Sequence, residues 1–117
     1  MVYTAGSQAL AVLELLVHLD DHDLLKHYRL IPVTFAEAMV KVLNPRVLPS
    51  NWKRRPTPSS VRAIGDAWVA AAESAVLRVP SVVVPAESNY LLNPHHADFA
   101  RLAIGKPQPF RFDRRLK

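Results

Sequence analysis

Cysteine is absent from this chain of 117 residues, and glycine occurs only three times. The absence of cysteine excludes disulfides, thiolate nucleophiles and cysteine-ligated metal sites, and it is consistent with a cytoplasmic location. The isolated residues Gly6, Gly65 and Gly105 cannot form a glycine-rich phosphate loop. No serine lies in a GxSxG nucleophile elbow. The commonest sequence signatures of nucleotide-binding and hydrolytic enzymes are therefore missing.

The sequence also lacks a long apolar run. No stretch approaches the ~18 consecutive apolar residues that a membrane-spanning helix requires. The N-terminal sequence MVYTAGSQAL has neither the basic region nor the apolar core of a signal peptide. Hydrophobic residues make up 50% of the chain, and its length suits one domain with a real core rather than two. We therefore expect a single small soluble domain over residues 1–117, with no membrane partner.

Acidic residues are outnumbered by basic ones. Fifteen Lys and Arg residues oppose ten Asp and Glu residues, which gives a formal net charge of +5 and a pI near 10.0. This balance favours anionic ligands or partners without naming one. The basic run from Lys53 to Arg55 lies beside Trp52, and a nucleic-acid contact there is one alternative. Because short basic runs are weak motifs, a solvated surface loop is the preferred interpretation.

The five histidines do not follow a metal-binding pattern. His18, His22 and His27 fall in different predicted elements. His95 and His96 are adjacent, so on a helix they point apart and do not form the i, i+4 pair of a zinc site. We predict no metal site.

Prolines alternate with short polar side chains in the segment Ala75–Phe99, AVLRVPSVVVPAESNYLLNPHHADF. Proline fixes φ and removes a backbone donor, so this segment can follow only a few paths. A rigid path that carries hydroxyl and amide groups can hold them still for a ligand. The alternative is a proline-rich edge strand followed by a loop with local Asx and Ser caps. The polar residues of interest are Ser81, Glu87, Ser88, Asn89 and Asn93.

A lone carboxylate lies in the first predicted helix. Apolar residues recur there at helical spacing after a capping residue at Thr4 or Ser7. Glu14 shares one helix face with Leu10 and Val17. Removing an isolated carboxylate from water costs several kcal/mol unless a partner compensates, so Glu14 indicates a functional site. The alternative is a carboxylate that reaches solvent at the edge of the apolar face.

The rest of the pattern predicts a mixture of helices and strands, and hence the α+β class. Strands are expected at Leu25–Thr34, at Val76–Val84 with an interruption at Pro80, and at Phe110–Phe112. Helices are expected at Phe35–Leu43, from a Thr57 or Ser59 cap to about Ala72, and from Asn93 to about Leu102, with a loop at Asn44–Pro58. The buried face of the helix before Ala72 should carry Val61, Ile64, Trp68 and Ala71 or Ala72.

Several blocks of this sequence resemble the RES-domain toxins. The blocks are Tyr3-Thr4-Ala5, Ala9–His18 with Glu14, VRAIGDAW, AVLRVPSVVVPAESNYLLNP and FRFD. The resemblance runs along most of the chain and is strongest from Val61 to Asp113. RES-domain toxins are the toxin halves of bacterial toxin–antitoxin pairs whose antitoxins carry an Xre-like DNA-binding domain. The resemblance implies a fold related to the ADP-ribosyltransferases.

The same resemblance implies an enzyme that degrades NAD, which is its substrate rather than a resident cofactor. The enzyme would split the nicotinamide–ribose bond with water or phosphate as the acceptor. The expected partners are NAD and an Xre-like antitoxin, and nucleic acid is reached only through that antitoxin. The alternatives are an inactive domain that only binds the antitoxin and a protein ADP-ribosyltransferase. The oligomeric state stays open, with a homodimer as one alternative.

The family is named for an arginine, a glutamate and a serine, and the resemblance carries two of them onto this chain. Glu14 corresponds to the glutamate and Ser81 to the serine, so these two are the catalytic candidates. Ser88 is the rival serine because it adjoins Asn89, which corresponds to a supporting amide. Tyr3 corresponds to a pocket tyrosine and lies eleven residues before Glu14. Tyr3, Ser88 and Asn89 are thus the expected substrate-binding residues.

The family arginine has no counterpart in this sequence. Family members normally carry a few dozen residues before the position of Tyr3, and these include a segment that supplies the arginine. We therefore expect a partial RES-like domain over residues 1–117 that lacks the N-terminal strand and this arginine. Arg29 and Arg62 are the candidates to replace it. Whether the chain is an active enzyme or an inactive binding domain stays open at this point.

Overall fold

The computed structural model describes residues 1–19, 26–113 and 115–116. Within these ranges there are two α-helices, α1 (Gln8–His18) and α2 (Ser59–Ala71). The strands are β1 (Val2–Ala5), β2 (Arg29–Leu30), β3 (Val33–Thr34), β4 (Val40–Val42), β5 (Val76–Pro80), β6 (Ser88–Leu92), β7 (Ala103–Ile104) and β8 (Gln108–Pro109). Short 3-10 helices span Glu37–Met39, Pro45–Val47 and Ala97–Arg101. The predicted α+β class is confirmed.

A four-stranded sheet organises the molecule, with the strand order β1-β6-β5-β4. The pairs β1–β6 and β5–β6 are antiparallel, while β4 and β5 are parallel. Two small antiparallel pairs, β2 with β8 and β3 with β7, complete the strand pairing that the structure describes. Because β5 and β6 are the two interior strands, the edge-strand interpretation of the proline-rich segment is wrong. Pro80 is the last residue of β5, so it ends the strand without interrupting the ladder.

The strand register places Tyr3 and Asn89 on the same face of the sheet. Tyr3 pairs with Leu91, and Ala5 pairs with Asn89. Residues two apart on a strand share a face, and directly paired residues share a face as well. These pairings place four residues in one patch, namely Tyr3, Ala5, Leu91 and Asn89. The polar side-chain groups of this patch are the hydroxyl of Tyr3 and the amide of Asn89.

Two apolar clusters pack against the two faces of the sheet. On the Tyr3 face, Trp68 of α2 packs with Leu77 and Leu91. On the opposite face, Val76 and Leu92 pack with residues that include Ala75 and Leu102. Each buried Val or Leu side chain contributes about 1.5–3 kcal/mol relative to an exposed one. These clusters fix β5 and β6 from both sides, which makes the segment that follows β5 a rigid support.

The helix ends agree only partly with the sequence. Ser7 caps α1, and its Oγ accepts a hydrogen bond of 3.1 Å from the backbone N–H of Leu10, which confirms one of the two proposed caps. α2 begins after Pro58 without any side-chain cap, so the predicted Thr57 or Ser59 cap is wrong. The pre-set φ of Pro58 starts the helix instead.

Fewer residues of α2 are buried than its apolar pattern predicts. Trp68 is buried, whereas Val61 and Ile64 are half-buried. Ala71 and Ala72 are exposed, so their predicted burial is wrong. The helix ends at Ala71, and the next residue, Ala72, is its C-cap with a φ of 50° in the left-handed region.

Other differences concern short elements. Residues 35–43 form the 3-10 helix Glu37–Met39 and then β4, because the β-branched residues Val40 and Val42 favour a strand. The strand predicted at residues 25–34 is divided into β2 and β3 around Ile31 and Pro32, and residue 25 lies outside the described range, as does His22. The last strand, β8, lies at Gln108–Pro109 rather than at 110–112. The helix expected from Asn93 is a turn followed by the 3-10 helix Ala97–Arg101.

None of the helices within the described ranges combines the length and hydrophobicity that a membrane crossing requires.

Candidate active site

Four of the five candidate residues lie together on the face of the sheet that carries Tyr3. Tyr3 comes from β1, Glu14 from the middle of α1, and Asn89 from β6, while Ser81 directly follows β5. The tight connection between β1 and α1 folds the helix back over the sheet, so that a residue two turns into α1 returns to the level of Tyr3. Tyr3 and Glu14 are thus brought together by a strand–turn–helix unit.

The Glu14 carboxylate receives hydrogen bonds on both oxygens. Nδ2 of Asn89 donates to Oε1 over 2.9 Å, and Oγ of Ser81 donates to Oε2 over 3.2 Å. The Tyr3 hydroxyl lies 3.3 Å from the same Oε2. Glu14 itself is only half-buried, so the carboxylate is held by protein donors and still faces the exterior. Hydrogen bonds to both oxygens of a carboxylate fix its direction.

Asn89 is the centre of this network. It is 0% exposed, and its side-chain oxygen accepts the Tyr3 hydroxyl over 2.6 Å. Its amide nitrogen donates both to Glu14 and, over 3.2 Å, to the backbone carbonyl of Thr4. A hydroxyl carries one proton. The 2.6 Å contact directs that proton mainly to Oδ1 of Asn89, and the 3.3 Å contact with Oε2 of Glu14 is the weaker branch of a shared hydrogen bond. Asn89 therefore orients both neighbours.

Ser81 is also fully buried, at 0% exposure. Its Oγ accepts hydrogen bonds of 3.2 Å from the backbone N–H groups of both Val83 and Val84. With both lone pairs occupied, its one proton is directed to Glu14. A hydroxyl held in this way has no freedom to attack a substrate. Its geometry is that of a group that positions the Glu14 carboxylate.

The rival serine, Ser88, lies elsewhere. It is adjacent to Asn89 in β6, so its side chain points to the opposite face of the sheet. There its Oγ accepts a hydrogen bond of 3.0 Å from Nε of Arg78. The structure does not bring Ser88 to Glu14.

A cleft of about 1150 Å³ opens beside Glu14 and Tyr3. Its volume lies just above the range of roughly 300–1,000 Å³ that small-molecule sites usually have, so it can take a long ligand. Among the described residues that line it, Glu14 is the only carboxylate, and Arg55 and Arg62 are the two arginines. Apolar side chains that include Trp52 and Ile64 form much of the wall. The described residues contain no cluster of three or more metal-ligating side chains.

The environment of Tyr3 keeps its hydroxyl protonated. Partial burial, then the negative charge of Glu14 and the hydrogen bond with it, together raise the pKa of Tyr3 from 10.0 to about 12, and the charge of Arg55 opposes this rise. The residue as a whole is 56% exposed, although its hydroxyl contacts the fully buried amide of Asn89. The ring is thus open to a ligand while the hydroxyl remains a donor at neutral pH.

The sequence did not single out Arg55 as a site residue. Arg62, one of the two candidate replacements for the family arginine, lines the cleft. Arg29, the other, does not, and its guanidinium donates to the carbonyl of Tyr28 over 3.4 Å. In the sequence, Arg55 is only the last residue of the basic run that begins at Lys53. Its position in the cleft depends on the path of the loop before α2, which periodicity does not predict.

Comparisons with known proteins place this chain in a family. The RES domain family model matches residues 1–113. The chain is 39% identical over 117 residues to "Toxin Res" of Yersinia enterocolitica, covering 99% of this chain and 77% of that protein. It is 40% identical over 117 residues to "Toxin Res" of Photorhabdus laumondii, covering 98% of this chain and 74% of that protein. It is 34% identical over 119 residues to the "Prs ADP-ribosylating toxin" of a Sphingobium species, covering 99% of this chain and 74% of that protein.

The family match spans the whole strand–turn–helix unit of Tyr3 and Glu14 as well as the β5–β6 segment that carries Ser81 and Asn89. The resemblance seen in the sequence is confirmed, and this chain belongs to the RES domain family.

Proposed function

We propose that this protein is a toxin that cleaves the nicotinamide–ribose bond of NAD, with water or phosphate as the acceptor. The observation that carries the proposal is the Glu14 carboxylate, which Asn89 and Ser81 hold at the entrance of a cleft of about 1150 Å³. Three similar proteins carry names that call them toxins. The carboxylate supplies the chemistry, and the cleft has room for a dinucleotide.

Cleavage of this bond develops positive charge on the ribose. The electron pair of the glycosidic bond moves to the pyridinium nitrogen, so nicotinamide leaves as a neutral molecule and the sugar acquires oxocarbenium character. A fixed carboxylate beside the ribose stabilises that charge. Water then adds to the sugar carbon and loses a proton, giving ADP-ribose, or a phosphate oxygen adds in its place. Glu14 is the group that we assign to charge stabilisation.

The neighbours of Glu14 would keep it ready for this task. Ser81 and Asn89 direct one donor to each carboxylate oxygen, so no reorganisation of the carboxylate is needed as the charge develops. The exposed ring of Tyr3 is available to stack on nicotinamide, which adds about 1 kcal/mol beyond simple burial. Its hydroxyl donates to Oδ1 of Asn89, which restrains the ring.

The direct experiment is to incubate the purified chain with NAD and to measure free nicotinamide by chromatography, with and without inorganic phosphate. We expect nicotinamide release by the unchanged protein and its loss in Glu14→Ala. Glu37→Ala is the matched control, because Glu37 is an exposed carboxylate that does not line the cleft. Mass spectrometry of the second product distinguishes water from phosphate as the acceptor. No release under either condition would reject the proposed reaction.

The inactive alternative is tested in the same preparation. We propose that the protein acts in the cytoplasm and is bound there by an Xre-like antitoxin, which alone contacts nucleic acid. Co-expression with an Xre-like protein encoded beside it should give a stable complex that suppresses nicotinamide release. A stable complex formed by a protein that never releases nicotinamide would support the inactive alternative.

A second candidate is a protein ADP-ribosyltransferase. It is favoured by the similarity to the Sphingobium protein whose name describes an ADP-ribosylating toxin. The departure of nicotinamide is the same, and a protein side chain replaces water as the acceptor. Incubation with NAD and bacterial proteins should then add an ADP-ribosyl mass to one of them. Free ADP-ribose without any protein adduct would reject this candidate.

A further inference from the structure

The cleft carries more positive than negative charge. Glu14 is the only carboxylate among its described lining residues, while Arg55 and Arg62 both contribute permanent positive charges. One of these two charges balances Glu14, and the other remains for a ligand. Low-dielectric apolar walls strengthen this field and raise the local concentration of anions.

Arg55 has donors to offer to such an anion. In the described part of the chain, the ion pairs are Lys41–Glu73, Arg101–Asp98 and Arg115–Asp113, so none of them involves Arg55. Nη1 of Arg55 donates a hydrogen bond of 2.9 Å to Oγ1 of Thr57, which restrains the guanidinium. A guanidinium has five N–H donors in a planar fork, so this bond leaves several free. The group is restrained and still available.

Arg55 lines the same cleft as Tyr3 and Glu14, although it is 52 and 41 residues away in the sequence. Its charge also acts on the hydroxyl of Tyr3 and opposes the rise in the Tyr3 pKa that Glu14 causes.

We propose that Arg55 binds the diphosphate of the substrate and thereby selects dinucleotides over nicotinamide nucleosides. This inference rests on the proposed function, since it assigns the neighbouring part of the same ligand. The planar fork of arginine matches phosphate oxygens in a bidentate manner, and charge-assisted bonds of this kind are about twice as strong as neutral ones. In a dinucleotide, the diphosphate is separated from the nicotinamide–ribose bond only by the ribose. A cation that lines the same cleft as Glu14 is thus available to the diphosphate.

The test uses ADP, which carries the diphosphate but has no bond that the enzyme could cleave. Binding of ADP and of adenosine is measured by isothermal titration calorimetry with the unchanged protein, Arg55→Ala and Arg54→Ala. Arg54→Ala is the matched control. It removes the same charge from an adjacent exposed residue that does not line the cleft. We expect Arg55→Ala to weaken ADP binding by about tenfold or more, and Arg54→Ala to change it by less than about twofold. Adenosine binding should be the same in all three proteins.

Equal weakening of ADP binding by both substitutions would overturn the proposal, since the net charge of the protein would then explain the effect. ADP binding that is unchanged in Arg55→Ala, or absent from the unchanged protein, would overturn it as well. Circular dichroism and the unfolding midpoint confirm that Arg55→Ala is folded, which is expected because Arg55 is exposed.

The failure of this inference and the failure of the proposed function have different signatures. ADP binding that depends on Arg55, in a protein that releases no nicotinamide from NAD, would reject the proposed reaction and retain the anion site. In an active protein, Arg55→Ala should raise KM for NAD by about tenfold and leave turnover of nicotinamide riboside unchanged. An equal loss on both substrates would assign Arg55 to the reaction centre and reject its role in diphosphate binding.

Discussion

Nδ2 of Asn89 donates a hydrogen bond of 2.9 Å to Oε1 of Glu14, although the two residues are 75 positions apart. The bond connects the interior strand β6 to α1, and it passes beside β1, whose Tyr3 hydroxyl also contacts Asn89. A fully buried amide therefore sets the direction of a half-buried carboxylate. This relationship makes Glu14 an oriented charge at the cleft, held by protein donors on both oxygens.

Asn89→Ala should reduce the rate of NAD cleavage per folded molecule by about 100-fold, because small displacements of a catalytic group have effects of that size. The substitution should also lower the free energy of unfolding by about 1–3 kcal/mol, since it leaves buried partners unpaired. Chemical denaturation and nicotinamide release measure the two effects separately.

Asn93→Ala is the control for that experiment. Asn93 is equally buried, but it bonds the carbonyl of Val69 over 3.3 Å and the N–H of His95 over 3.0 Å, away from the cleft. Asn93→Ala should lower the free energy of unfolding by a similar amount and leave the rate of NAD cleavage per folded molecule unchanged. A similar loss of rate per folded molecule in both variants would contradict a specific role of Asn89 in orienting Glu14.

The two serines should behave differently. Ser81→Ala removes the donor to Oε2 of Glu14 and the acceptor for two backbone N–H groups, so it should slow NAD cleavage by about tenfold or more. Ser88→Ala removes only the acceptor for Arg78 and should leave the rate within about twofold. Steady-state rates of nicotinamide release make the comparison. A larger loss in Ser88→Ala would reverse the assignment of the serine.

Tyr3 gives the protein a defined response to alkaline pH. Its pKa in the folded protein is about 12, above the ordinary value of 10.0. Between these values the folded state binds more protons than the unfolded state, so the stability from Tyr3 is complete below pH 10 and falls as the pH rises towards 12. Tyr3→Phe removes this titration.

The denaturation midpoints of the two proteins should therefore differ most below pH 10 and converge from pH 10 towards 12. Other tyrosines, lysines and arginines titrate in both proteins and cancel in the difference. A constant difference across this range would contradict the role of Tyr3 as a protonated donor.

Gly6 permits the close approach that places α1 over the sheet. Its N–H donates to the carbonyl of Ser88 over 2.9 Å, and a Cβ at this position would lie 2.8 Å from the same oxygen. Because that obstacle is backbone, Gly6→Ala should move the β1–α1 turn, destabilise the fold by about 1–3 kcal/mol and reduce NAD cleavage.

Gly65→Ala is the matched control for Gly6→Ala. A Cβ at Gly65 meets only the flexible end of Met1, at 3.0 Å, and alanine favours the helix by about 0.5–1 kcal/mol. Thermal unfolding should therefore move in opposite directions for the two variants. Equal shifts would contradict the role given to Gly6.

The sequence predicted the parts of the site that depend on local chemistry. The apolar stripe around Glu14 and the Ser7 cap located α1, and the RES resemblance singled out Tyr3, Ser81 and Asn89. The sequence did not predict that Ser81 and Asn89 both donate hydrogen bonds to the Glu14 carboxylate. Their proximity depends on the register of β5 and β6. That register is a long-range property of the sheet.

The missed elements have identifiable physical causes. β6 begins with polar residues, Ser88 and Asn89, so the pattern predicts no strand there, but pairing with a strand on each side satisfies its backbone. β4 has three residues, too few for an alternating pattern, and it forms because β5 offers a parallel partner. The position of Arg55 follows from a loop path, which tertiary packing decides.

The most direct measurement compares single-turnover release of nicotinamide from NAD by Glu14→Gln and by the unchanged protein. Glutamine keeps the volume and an acceptor for Ser81 while it removes the negative charge, and its NH2 group replaces Oε1, the acceptor for Asn89. We predict release that is slower by about 100-fold or more, with ADP binding preserved and the free energy of unfolding lowered by only about 1–3 kcal/mol for the one donor left unpaired. Release at the unchanged rate by Glu14→Gln would contradict the assignment of Glu14 as the group that stabilises the positive ribose.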